Sequence, residues 1–444
     1  MAEIAAFRGV RYDTRRVAAQ EVVCPPYDVI SQAQAEAFRA RGATNAIHVD
    51  LPRPDGAHRD RYEAAAALLR DWLADGVLKR DREPSLYVLE QTFRGPDGWE
   101  HTRRGFVALL RLEELAARVV LPHEMTHAGP KEDRLRLLRA THADLSPIFL
   151  LYPDPTNRVG AALAGAAPAA AAPPPAQPVT VTDADGTTHR FTPVSGPVTD
   201  EVTRLLAGKR LYIADGHHRY ETALYFRDEC RAAGDHSADS VMVYLCSMDD
   251  PGLVVFPTHR LLKGVPVPPA DELLARLAPT FAVYPERPEG AQSCAVMMGH
   301  VGSLTDAAKV FGLYFPHERT CATIELRDPS AITRLIKEGL SPEYAGLSVT
   351  LLQYLIFRDA LGLDPARTEG KIDYATRLDE ALALLDGDGG YTLGAFVNAT
   401  PIAEVRRVAD RGETMPHKST YFYPKPPTGL VFHVMEDGAG ETRP

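Results

Sequence analysis

The run Leu211-Tyr-Ile-Ala-Asp-Gly-His-His-Arg-Tyr-Glu-Thr-Ala-Leu224 places a strand, a turn and a helix in one short segment. Leu211 to Ala214 are apolar and suit a buried strand. Asp215-Gly216 marks a sharp turn, because glycine takes backbone angles closed to other residues and allows close backbone approach. Beyond it, Tyr220, Ala223 and Leu224 recur at helical i, i+3, i+4 spacing. His217, His218 and Arg219 then fall in the first helical turn, whose N–H groups lack intrahelical acceptors. Such a terminus attracts anions. Basic side chains there oppose the helix dipole, so stability does not favour them. The pattern reads as a phosphate cradle of Gly216, His217, His218 and Arg219. The plainer alternative is a surface turn with incidental basic residues.

Upstream, Leu121-Pro-His-Glu-Met-Thr126 leads into a helix from Pro130 to about Ala140 and then a strand at 146–152. His123-Glu-Met-Thr-His127 has the H-E-x-x-H spacing of zinc proteases. That chemistry requires both histidines on one face of a continuous helix. Pro122 before the run and Gly129-Pro130 after it point to a loop instead, so a zinc site is rejected.

A strand followed by Asp-Gly-His-His-Arg resembles the phosphate-binding motif of the ParB/sulfiredoxin-like superfamily, and within it the kinases of free L-serine. That likeness covers about residues 85–265. Nearly the whole chain resembles a large bacterial and archaeal family known as a domain of unknown function. Val23-Cys-Pro-Pro-Tyr-Asp28, Ile213 to Ala223, and Met415-Pro-His-Lys-Ser-Thr-Tyr-Phe-Tyr-Pro-Lys425 carry that match. The serine-kinase likeness implies phosphoryl transfer from ATP or ADP, with Mg2+, to the hydroxyl of L-serine or a similar metabolite. It also implies Glu124 as general base on that hydroxyl and Asp215 beside the phosphates.

Each role has an alternative. Glu124 also suits a loop position capping the following helix. Asp215 either supports Mg2+ together with phosphate oxygens, orients the nucleophile, or forms the Asp-Gly turn. His217 and His218 are helix neighbours pointing about 100° apart, so phosphate donation suits them better than one shared metal. In Phe256-Pro-Thr-His-Arg260, the trio Thr258, His259 and Arg260 either holds a substrate carboxylate or phosphate, or is a charged strand end. Lys418, Ser419 and Thr420 either complete a substrate pocket or belong to a structural strand. His123 joins the substrate-binding candidates, and Tyr27 and Asp28 are the weakest of the set.

Composition narrows the function. A formal charge of −10 argues against general affinity for nucleic acid. That weighs against DNA binding in the competing reading, a ParB-like nucleotide-binding switch or regulatory protein without kinase activity. No apolar run approaches the roughly 18 residues of a membrane span. The start, Met1-Ala-Glu-Ile-Ala-Ala-Phe-Arg8, has no signal core, and five scattered cysteines suit reduced thiols, so a cytoplasmic protein is expected. Gly208-Lys209 is followed by Arg210 and lacks the upstream glycine of a P-loop. No G-x-G-x-x-G opens a helix. No cysteine stands at His217, which argues against sulfiredoxin-type thiol chemistry.

The expected fold is α/β. It has a central ParB/sulfiredoxin-like domain over residues 85–265, an N-terminal elaboration over 1–84 and a C-terminal α/β module over 266–444. Expected elements include a helix from Arg59 to Leu73, strands at Leu86–Glu90, Gly105–Leu110 and Val241–Ser247, and a helix from Leu347 to Leu361.

Overall fold

A computed structural model describes residues 1–125, 128–165, 178–286, 309–364 and 370–435. His127, the stiff connector that Pro173-Pro-Pro175 suggests, the strand that the run Cys294–Met298 suggests, and the tail from Glu436 lie outside the described residues. The chain is mixed α/β, as expected. No described helix is long and apolar enough to cross a membrane.

The chain folds as two compact units. The first comprises Met1–Pro122, Thr126–Val254 and Pro424–Pro444; the second comprises His123–Met125 and Val255–Tyr423. This differs from the expected three-part division. Residues 1–84 do not stand apart, because Ile4–Ala5 pairs with Leu109–Leu110 and Phe7 bridges Ser85. The last described segment re-enters the first unit. There Thr428 bridges Cys24, Phe432 bridges Val10, and His433 pairs with Asp144. The strand-like region 421–434, which its sequence shows broken by Pro424, Pro426 and Pro427, forms two short pieces, Tyr421–Tyr423 and His433–Val434. Prolines between them cannot donate to a ladder.

The first unit is built on a nine-stranded sheet. Its order runs Val120–Leu121, Leu211–Asp215, Ile148–Tyr152, Ser240–Ser247, Glu100–Arg111, Leu86–Arg94, Thr188–Val194, Val179–Thr182, with Ile4–Ala5 paired beside Glu100–Arg111. Most pairings are antiparallel. Val120–Leu121 with Leu211–Tyr212, and Ile148–Tyr152 with Val243–Ser247, are parallel. Ile148–Tyr152 is buried throughout, as a strand covered on both faces requires. The helix Arg61–Ala74 starts on the Asp60 side chain, which accepts from the N–H groups of Tyr62 and Glu63. It buries Tyr62, Ala66, Leu69 and Trp72, the apolar stripe visible in its sequence.

The second unit holds a six-stranded antiparallel sheet in the order Phe281–Glu286, Thr320–Leu326, Val310–Phe315, Tyr391–Val397, His259–Lys263, Ile372–Ala375. One helical expectation is corrected here. After Ser348–Leu351 the helix widens to a π-helix over Leu352–Ala360, where the N–H of Leu361 reaches the carbonyl of Ile356 at 3.1 Å. The apolar spacing of a π turn and an α turn is too similar for sequence to separate them.

Candidate phosphate-binding site

In the first unit, the strand Leu211–Asp215 pairs with Ile148–Tyr152 through a bulge. Ile213 faces Leu150 and Asp215 faces Phe149, so Ala214 is the extra residue. Bulges re-aim the side chains that follow them. Gly216 then adopts φ 91° and ψ 30°, the left-handed region, and caps the helix His217–Ala232. Tyr220, Ala223 and Leu224 fasten that helix to the sheet core, as their spacing predicts. A Cβ on Gly216 would lie 3.0 Å from Arg219 Nε. Gly216→Ala is therefore expected to cost about 1–2 kcal/mol of stability through the left-handed backbone alone. It should also displace Arg219. Urea unfolding checks this, and a midpoint equal to wild type would contradict the strain.

Arg219 turns back over the helix start. Its Nη2 donates to Asp215 Oδ2 at 2.6 Å, and its Nη1 to the carbonyl of Pro147 at 2.6 Å and to Ser146 Oγ at 3.2 Å. The other Asp215 oxygen, Oδ1, accepts from Lys425 Nζ. Burial alone would raise the Asp215 carboxyl, but the Lys425 and Arg219 cations outweigh it and hold the group below the ordinary carboxylate range. Burial works against the Arg219 charge, yet Asp215, Asp28, Tyr27 and Asp50 together raise it.

A further ring of charge surrounds this pair. Arg134 Nη1 donates to the backbone carbonyl of Asp50 at 2.9 Å and to its Oδ1 at 3.2 Å, and its guanidinium lies 4.1 Å from the Tyr27 ring centroid. Burial pushes the Tyr27 phenol up to about 12 and raises the Asp50 carboxyl, with Arg134 and Arg219 opposing the latter. The cluster joins distant stretches of sequence around one helix start. Asp215 and Arg219 are among the residues the sequence reading proposes; Lys425, Asp50 and Arg134 beside them are not. A lysine flanked by prolines, at the end of the 415–425 segment, was the available signal. His217 is buried and His218 half-buried, both at the helix start where a cradle needs them.

Both Asp215 oxygens already hold cations, and among the described residues no group of three or more His, Cys, Asp or Glu is placed to hold a metal ion. The Asp215 carboxylate as arranged does not fit a metal ligand, so the expected Mg2+ role is not supported by its geometry.

The remaining candidates converge within the second unit. Glu124 Oε1 accepts from the Lys418 N–H at 3.1 Å and lies 2.9 Å from His417 Nδ1. The Lys418 carbonyl accepts from Arg260 Nη2 at 3.1 Å, and Lys418 itself sits at a left-handed φ of 55°. Arg260 is 5% exposed, and its guanidinium lies 5.7 Å from the Tyr374 ring centroid. Burial brings it down to about 10, with Tyr374 and Glu124 working the other way. A carboxylate, a buried guanidinium and an exposed lysine thus meet through the backbone of residue 418.

Four candidates are placed differently. His123 is buried, with Nε2 2.9 Å from Thr420 Oγ1 and its carbonyl accepting from Met415. Ser419 is buried, and its hydroxyl donates to the Pro416 carbonyl. Thr258 is buried, its carbonyl taken by Arg260. The His123 and Ser419 side chains thus bind within the 415–420 loop, while the buried Thr258 hydroxyl has no hydrogen-bond partner among the described residues. His259 is a clearer correction. Its Nδ1 accepts the Val397 N–H at 3.4 Å, and its ring packs 5.0 Å from Phe396. Burial, and then the neighbouring Arg260 charge, lower it to about 4. A neutral core histidine is not an anion donor.

That shift makes stability depend on pH. Between the ordinary value near 6.5 and about 4, the unfolded chain binds a proton that the folded chain refuses. Stability is therefore present above about 6.5 and lost as pH falls through this window, by about 3 kcal/mol for this group. Urea unfolding at pH 7 and pH 4.5 should show a larger loss for wild type than for His259→Phe. Equal losses would contradict a buried neutral histidine.

The family model described as "Protein of unknown function (DUF1015)" matches residues 4–349. The chain belongs to the DUF1015 family. No curated protein matches its sequence. Among solved structures, the DUF1015 chain is similar to a conserved hypothetical protein from Pyrococcus furiosus, with TM-score 0.31, 15% identity, 71% of this chain and 91% of that one covered. It is also similar to a free serine kinase variant in complex with AMP, with TM-score 0.31, 14% identity and coverages of 68% and 83%. A third is SbnI with a C-terminal truncation from Staphylococcus aureus, with TM-score 0.31, 11% identity and coverages of 74% and 87%.

Proposed function

We propose that this protein is a phosphotransferase. It binds the phosphates of ATP or ADP at the Asp215–Arg219 turn and transfers a phosphoryl group to the hydroxyl of a small metabolite such as free L-serine. The observation that carries the reading is the turn itself. A left-handed glycine opens a helix whose first turn bears two histidines and an arginine, with a lysine drawn to the same aspartate. Phosphoryl transfer asks a protein mainly for positioning and charge neutralisation. Helix N–H groups and charge-assisted donors supply both. The motif likeness to free serine kinases supports the same reading.

In the proposed reaction the acceptor hydroxyl attacks the terminal phosphorus. The bond from that phosphorus to the bridging oxygen breaks, and the shortened nucleotide leaves. Glu124 takes the hydroxyl proton as general base. Arg260 and Lys418, joined to Glu124 through the 418 backbone, are proposed to hold a carboxylate on the acceptor.

The experiment is a phosphorus NMR screen of purified protein with ATP, ADP, CTP or pyrophosphate against pooled hydroxyl metabolites, free serine among them. A new phosphate ester formed at the expense of a donor supports the proposal. Nucleotide binding with no ester from any combination overturns it in favour of a ParB-like switch.

A further inference from the structure

Lys425 has so far appeared only as a partner of Asp215. It belongs to Pro424-Lys-Pro-Pro427, on the segment that re-enters the first unit. Its side chain is only 10% exposed. Its Nζ bonds Asp215 Oδ1, while Arg219 Nη2 bonds Asp215 Oδ2. One carboxylate therefore serves two nearly buried cations. Buried cations require a counter-charge; Asp28 and Asp50 add theirs at Arg219, and the Asp215 carboxylate is divided between the two cations.

The lysine is also mounted from the sheet. Gln91 Nε2 donates to the Lys425 carbonyl at 3.3 Å. Arg103, fully buried, donates Nη2 to the Pro424 carbonyl and to Gln91 Oε1 at 2.5 Å, with its guanidinium 4.6 Å from the Phe149 centroid. Two prolines after Lys425 stiffen the chain further. An ordinary surface lysine needs no such support. A lysine that must present a point charge at a fixed place does.

We infer that Lys425 is a phosphate-binding residue of the Asp215–Arg219 site, and that Asp215 occupies its cation and that of Arg219 until a diphosphate or triphosphate takes over both. The inference rests on the phosphate reading of the turn. A carboxylate and a phosphate present similar oxygens to a guanidinium or an ammonium. A diphosphate brings more charge and more oxygens, so it can engage both cations at once where Asp215 shares one charge between them. The site therefore favours polyphosphates over a single phosphate group.

Calorimetric titration with inorganic pyrophosphate, in buffer free of divalent metal, tests this. Lys425→Met should bind about tenfold or more weakly, while Lys425→Arg stays within about threefold of wild type. Asp215→Asn removes the internal competitor and should bind about threefold or more tightly under the same conditions. If Lys425→Met binds like wild type while Arg219→Ala loses binding, the Lys425 inference fails and the phosphate reading stands. If wild type binds no pyrophosphate, both fail. Weaker binding by Asp215→Asn overturns the exchange, and decides it even if Lys425→Met does not fold.

Discussion

Glu124→Gln is expected to keep the fold and the affinity for nucleotide while turnover falls about 10²–10⁴-fold, the usual loss on removing a general base. Glutamine preserves the shape of the side chain, and its amide oxygen still accepts from Lys418 N–H, the bond that Glu124 Oε1 makes at 3.1 Å. It loses the negative charge facing His417 and the ability to take a proton. The loop 415–420 should therefore persist, since Met415 N–H remains bonded to the His123 carbonyl at 2.7 Å. Steady-state turnover with the best donor and acceptor from the screen measures the effect. Full activity in the glutamine variant would remove Glu124 from the chemistry.

Arg219→Ala is expected to weaken ADP binding more than tenfold, because a hydrogen bond to a charged partner contributes about 1.5–3 kcal/mol. Two effects act together. The variant removes a donor aimed at the helix start, and it leaves Asp215 balanced by Lys425 with no arginine beside it. The first weakens phosphate binding directly. The second raises the effective negative charge where a phosphate must sit. Circular dichroism establishes that the variant is folded, and calorimetry then reads affinity. An unchanged dissociation constant would show that nucleotide does not meet Arg219.

Much of this site could be read before the structure because its information is local. Strand, glycine turn and helix fall within 211–224, and Gly216 takes the left-handed conformation its residue type permits. Tyr220, Ala223 and Leu224 reach the core because helical spacing fixes which face they share. The proline-flanked Lys425 could be singled out in sequence, but not joined to Asp215, which lies 210 residues away and meets it only through the return of the chain to the first unit. His259 was misread for a related reason. Its neighbours in sequence are polar and basic, while its neighbours in space are Phe396 and the Val397 amide. Residue type announces chemistry, but burial decides whether the charge exists. The two-unit division was equally hidden, because prolines mark the switches at 122–123 and 423–424 but do not say which unit each segment joins.

A structure of the protein with bound ADP tests the central claim most directly. The account predicts phosphate oxygens within hydrogen-bond reach of the backbone N–H groups at the start of the 217–232 helix, of the Arg219 guanidinium and of Lys425 Nζ, with the Asp215 carboxylate released from at least one of its cations. Phosphates bound elsewhere, with the Asp215–Arg219 and Asp215–Lys425 bonds intact, would contradict it.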